Sequence, residues 1–143
     1  MAISDLQRFV DAQAPVYPQA LAELRRGRKE SHWMWFVFPQ LAGLGHSPTA
    51  RRFAIGSLEE AAAYLADPLL GPRLVESTEA VLDHEGTDPV AIFGTIDAMK
   101  LRSSMTLFGQ VTGAPDCFAR CLLGFFSGEE DTRTLVLLAS APS

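Results

Sequence analysis

The chain has 143 residues, close to the common size of one domain, with 48% hydrophobic and 20% charged residues. Those proportions exclude a disordered, collagen-like or mini-protein chain, and a formal net charge of -5 argues against general binding to nucleic acid or an anionic membrane surface. Nine Phe, two Trp and two Tyr supply ample material for a core.

Segments with helical period follow one another along the chain. Ser4 is in position to cap a helix over residues 5–14, with Leu6, Phe9, Val10 and Gln13 on one stripe, and Pro15 ends it. Pro18 opens a second helix with Ala20, Leu21 and Leu24 inward, and Gly27 is its C-cap after Arg25 and Arg26. A basic loop leads to the densest segment of the chain, Trp33 to Gln40. A lone strand would have no partner there, so Trp33 to Phe38 reads as a buried helix or helical turn. Ser47-Pro48 starts a short helix through Ile55, and Ser57 with Glu60 forms a capping box for residues 58–66. Asp67-Pro68 caps a helix whose first turn Gly71 and Pro72 make irregular, and Asp88-Pro89 starts a short apolar piece ending at Gly94.

Thr95 is in position to cap residues 96–110, with Met99, Leu101 and Met105 on the buried face. Asp116 caps residues 117–126, Gly128 stops that helix, and Asp131 caps residues 132–139. No stretch shows convincing period-2 alternation. The expectation is an all-α chain, one domain over residues 1–143, of about seven or eight short helices.

Cys117 and Cys121 are spaced i, i+4, a poor fit to a disulfide within a helix, so both are expected as reduced thiols. Two Cys and three scattered His give no zinc signature, and no Gly-rich phosphate loop or Gly-x-Ser-x-Gly elbow occurs; neither a metal nor a cofactor is expected. The first ten residues include Asp5 and Arg8 and lack a signal-type apolar run, and the run from Trp33 to Pro39 is far below the roughly 20 residues of a membrane span. A cytoplasmic protein without membrane contact is expected, with its oligomeric state left open.

Three blocks carry candidate chemistry. In the first, His32, Trp33, Trp35 and Gln40 offer ring faces and directional hydrogen bonds for a ligand, and Lys29 with its Arg neighbours would favour an anionic group; the alternative is a core helix with a locally satisfied His32. In the second, Asp97 and Lys100 are i, i+3 and can pair, with Ser103 or Ser104 on the same site; the alternative is a surface ion pair and hydroxyls bonded back to the helix. In the third, Glu129, Glu130 and Asp131 suit a helix start, with Asp131 the carboxylate best placed to act as a general base.

These blocks also carry a resemblance. Lys29-x-Ser31-His32-Trp33-Met34-Trp35-Phe36-x-Phe38-Pro39-Gln40-Leu41, Phe93-Gly94-x-x-Asp97-x-x-Lys100-Leu101-x-Ser103-Ser104-Met105-Thr106 and Gly128-x-x-Asp131-x-x-Thr134-Leu135 resemble the domain-of-unknown-function family "eighteen-ten", sometimes mislabelled calpastatin. The resemblance implies a compact all-helical domain and no particular activity. Phe53 departs from it, standing where the family has Tyr. The order of the blocks is also similar, more distantly, to the NADAR superfamily of helical proteins that handle ADP-ribose linkages and other N-glycosides.

Two function classes follow. The first is a domain binding a small anionic or nucleotide-like ligand, or an N-glycoside hydrolase. In the hydrolase, Asp131 or Asp97 would activate water, Lys100 would hold phosphate, and Trp33 or Trp35 would stack the base. The second is a non-enzymatic interaction module presenting surplus Phe and Trp at its surface. Ten of the twelve basic residues are Arg, which suits planar or phosphate recognition, but the charge balance ranks broad nucleic-acid binding last.

Overall fold

The computed structural model describes residues 5–140, and the proposed cap at Ser4 lies outside them. Among the described residues there are ten helices: α1 (Gln7–Gln13), α2 (Tyr17–Arg26), α3 (Met34–Val37), α4 (Pro48–Arg52), α5 (Leu58–Ala66), α6 (Leu70–Leu82), α7 (Pro89–Phe93), α8 (Thr95–Gly109), α9 (Cys117–Phe126) and α10 (Thr132–Ser140). The expected helical segments are all present, and α3, α4 and α7 are the single-turn pieces that raise the number. No described helix is long and apolar enough to cross a membrane.

α8 is the centre. From Ser103 to Phe108 every residue is buried, as expected for a helix surrounded on most sides, and α5, α7, α9 and α10 pack around it. A chain of aromatic rings crosses the core, Phe9 to Tyr64 to Phe108 to Phe118, with centroid separations of 5.3, 5.3 and 5.9 Å. Phe53 joins it against Phe9 and Phe36, so this position serves packing without a hydroxyl.

Local chemistry sets most helix ends. Ser47 Oγ and Ser57 Oγ accept from Ala50 N and Glu60 N, and Asp67 and Asp88 accept from the amides that start α6 and α7. The capping box at Ser57 is only half formed, because Glu60 Oε1 turns to Gly56 N and Arg8 instead. α4 stops at Arg52, short of Ile55, because Ile55 is drawn into an isolated parallel bridge with Leu41, its amide donating to Gln40 O at 2.8 Å. Gly94, rather than Thr95, occupies the N-cap of α8. Both cysteines are free and buried, and burial pushes the Cys117 thiol up to about 11 and Cys121 to about 12, so they sit as inert protonated thiols.

Gly71 shows what the close crossing of α5 and α6 demands. A Cβ there would lie 2.1 Å from the Leu65 carbonyl oxygen. Helix propensity alone would favour Ala over Gly by about 1 kcal/mol. Backbone cannot rotate away as a side chain can, so we predict that Gly71→Ala lowers stability by about 1–3 kcal/mol. Thermal unfolding checks the sign: an unchanged or raised midpoint would show that the crossing has slack.

Candidate functional site

The loop after α2 is organised by a carboxylate inside the protein. Glu23, fully buried on α2, accepts from Glu30 N (2.7 Å), Ser31 N (2.9 Å), Ser31 Oγ (2.6 Å) and the Trp33 indole N–H (2.8 Å). Gln19 Nε2 adds a fifth donor at 3.1 Å. Burial by itself would raise the pKa of this carboxyl, but the Ser31, Glu30 and Trp33 donors outweigh it and bring it down from 4.5 to about 2. The loop therefore wraps an ionised group. Gly27 makes the turn into it with φ +75, on a site where a Cβ would come 3.0 Å from the His84 ring.

This wrapping fixes Lys29. Its amide donates to Ile92 O at 2.8 Å, and its ammonium donates to Ser31 O at 2.7 Å and pairs with Asp97 Oδ2 at 2.9 Å. The other oxygen of Asp97 pairs with Lys100 Nζ at 3.1 Å, the expected i, i+3 contact. Burial opposes ionisation of Asp97, yet the two ammonium groups hold its carboxyl below the ordinary carboxylate range. Lys100 Nζ in turn sits 3.9 Å from the centroid of the Trp35 ring.

Two adjoining recesses result. The smaller, about 70 Å³, lies among Lys29, His32, Trp33, Asp97 and Lys100. The larger, about 210 Å³, is bordered by Gln40, Met99, Ser103, Asp131 and Arg133, and Trp35 and Lys100 belong to both. The bridge at Leu41 and Ile55 pins the loop that brings Gln40 there. Asp131 arrives through two hydrogen bonds: its amide donates to Thr106 Oγ1 on α8 at 2.8 Å, and its Oδ2 accepts from Thr134 N at 3.0 Å, capping α10 as expected.

Lys29, His32, Trp35, Gln40, Asp97, Lys100, Ser103 and Asp131 thus meet along one groove, although His32 and Asp131 stand in different recesses. Other expected residues sit differently. Trp33 is a core side chain, 1% exposed with its N–H spent on Glu23, so it offers no stacking platform; Trp35 is the half-buried ring of the groove. Ser104 is fully buried, borders neither recess, and its hydroxyl has no hydrogen-bond partner among the described residues. Met99, expected on the buried face of α8, is 65% exposed and borders the groove. Of the basic cluster only Lys29 takes part, while Arg25, Arg26 and Arg28 are exposed elsewhere. No Phe or Trp is exposed, which removes the cue for an aromatic interaction surface. Two participants were not anticipated. Arg133 borders the larger recess, and Glu23 looked like an ordinary polar residue of an amphipathic helix. No group of three or more His, Cys, Asp or Glu among the described residues could hold a metal ion.

Residues 3–138 match the family described as "Protein of unknown function (DUF1810)", and the chain belongs to that family. It is similar to the conserved hypothetical protein Rv1873 from Mycobacterium tuberculosis, known from a crystal structure: 56% identity over 96% of this chain and 98% of that one, with a TM-score of 0.93. No curated protein matches the chain.

The Glu23 clamp has a pH signature. A folded value near 2 against an ordinary 4.5 means that its contribution is present above about pH 4.5 and is lost as pH falls toward 2. The shift corresponds to about 3 kcal/mol. We predict that Glu23→Gln lowers stability at pH 7 by about that amount, and that the gap to wild type narrows steadily below pH 4.5. Urea titrations at pH 7 and pH 3 measure it, and a pH-independent gap would leave Glu23 a packing role only.

Proposed function

We propose that the protein binds a small anionic ligand carrying a flat ring, of nucleotide type, in the groove between Trp35, the first half of α8 and the start of α10. The observation that carries the reading is the Lys100 ammonium held between the Asp97 carboxylate at 3.1 Å and the Trp35 ring at 3.9 Å, with Arg133 on the same recess. Arg133 makes no ion pair among the described residues. Lys29, Lys100 and Arg133 against Asp97 and Asp131 are three cations to two carboxylates, so the groove carries one net positive charge in a chain of net charge -5. An anion gains from that local excess, and Trp35, Gln40 and Ser103 supply a ring and polar groups that orient a partly planar molecule.

At Asp97 the geometry fits binding better than N-glycoside hydrolysis. A general base needs a lone pair directed at water. Both oxygens of Asp97 are engaged by ammonium groups, whereas Asp131 Oδ2 accepts from Thr134 N and Thr134 Oγ1 and its Oδ1 has no donor among the described residues, so of the two it is Asp97 that is poorly placed to act as a base. Held below the ordinary range, the Asp97 carboxyl is also a weak base.

An adenine nucleotide joins a flat ring to an anionic group, which makes ADP-ribose the first probe, with AMP beside it. In amide-detected NMR titrations we predict saturable shifts at Trp35, Lys100 and Arg133 for at least one of the two. Lys100→Met should weaken that binding about tenfold or more, with a fall in the thermal midpoint as well, since the side chain is only 20% exposed and pairs with Asp97 and the Trp35 ring. Incubated ADP-ribose and AMP should remain intact; release of free adenine, the leaving group when water attacks the N-glycosidic carbon, would favour the hydrolase. No shifts with either probe at millimolar concentration would sink the reading.

A further inference from the structure

Most large apolar side chains in this protein are well buried, which makes the exceptions informative. Four are more than half exposed: Ile96 (71%), Met99 (65%), Leu123 (70%) and Val136 (57%). Three of these four line two recesses that share Arg133. Ile96 and Met99 wall the recess that holds Lys100, and Val136 walls a second recess of about 210 Å³ between α10 and the turn at Gly43. Arg133 borders both recesses.

The two recesses differ in character. The Lys100 side presents Gln40, Ser103 and Asp131 along with its cation. The second offers Val136, Leu137 and Gly43 beyond Arg133 and Thr132. Gly43 has φ +101, and a Cβ there would lie 3.3 Å from Leu137, so the turn lies closely on α10 and forms one wall. On α8, Ile96, Met99, Lys100 and Ser103 recur at i, i+3, i+4 and i+7, a single stripe that puts the apolar rim and the ammonium side by side. Each recess alone is small, and only together do they reach the lower part of the roughly 300–1,000 Å³ typical of small-molecule sites.

We infer that the ligand of this groove is an amphipathic anion. Its charged group lies between Lys100 and Arg133, and an apolar arm runs over Met99 and Val136 toward Gly43. This rests on the anion-binding reading above and narrows it to molecules in which charge and an apolar arm are joined. The cations explain the first half of such a molecule. A bare inorganic anion would leave Ile96, Met99 and Val136 exposed to water, whereas an apolar arm joined to the charge would cover them.

The test uses the full chain and three probes: inorganic phosphate, butyl phosphate and phenyl phosphate. Phosphate reports the anion site alone; the two esters ask whether the arm is aliphatic or aromatic. Calorimetry or NMR titration should give an affinity for at least one ester about tenfold or more above that for phosphate, with shifts at the Val136 methyls absent with phosphate. Val136→Ser, at an exposed helix position, should cancel most of that gain while leaving phosphate binding unchanged. Equal affinity for all three probes, or an ester that binds without touching Val136, overturns the amphipathic assignment while the anion site stands. Failure of all three, phosphate included, overturns both. Concentration-dependent broadening at Ile96, Met99 and Val136 without any probe would assign the rim to contact between two copies of the chain and overturn the proposal.

Discussion

A carboxylate has been taken out of water at Glu23 and is held by donors rather than by a cation. A buried charge without compensation costs several kcal/mol, so this side chain tolerates no loose arrangement around it. Four of its five donors come from the loop after α2, namely two amides, one hydroxyl and one indole N–H, and the fifth is Gln19 on α2 itself. Satisfying Glu23 therefore orders residues 30–33 and, through them, the direction in which Lys29 leaves the backbone. Lys29 then meets Asp97, Asp97 meets Lys100, and Lys100 rests on Trp35. An interior electrostatic requirement on one helix is thus transmitted, contact by contact, to a surface groove on another.

The division of labour between Trp33 and Trp35 follows from the same constraint. The two rings are two residues apart in a segment with no polar contrast, so periodicity alone cannot say which faces inward. Glu23 decides. Trp33 is drawn down by its N–H, and the single turn of α3 then carries Trp35 round to the groove. The helix ends at Ser47, Ser57, Asp67 and Asp88 were readable because a cap is a local interaction between residues two or three apart. Glu23 was not readable, because its loop partners lie 7 to 10 residues away across a turn and its residue type usually marks a solvated face.

The site shows the same boundary between local and long-range information. Asp97 with Lys100, and the cap at Asp131, were visible from spacing. That Gln40, Lys100 and Asp131 share a recess was not, because this depends on the bridge at Leu41 and Ile55 and on the bond from Asp131 N to Thr106. Met99 was misplaced for a related reason. α8 is buried around most of its circumference in its second half, so its apolar residues carry no single periodic stripe, and an exposed methionine looks like one more core residue.

The geometry of Lys100 limits what a ligand can do there. An ammonium has three N–H donors, and one is committed to Asp97. Displacing Asp97 would strip the partner from Lys29 as well, since the same carboxylate holds both, so an incoming anion gains little by competing for that position. It gains more by taking the donors that Asp97 and the Trp35 ring leave over, on the side where Arg133 stands. The cation is then fixed before the ligand arrives, and the entropy of immobilising a long lysine side chain is spent in folding rather than in binding. A site built this way selects for where the anion sits relative to its apolar surroundings more than for the strength of its charge.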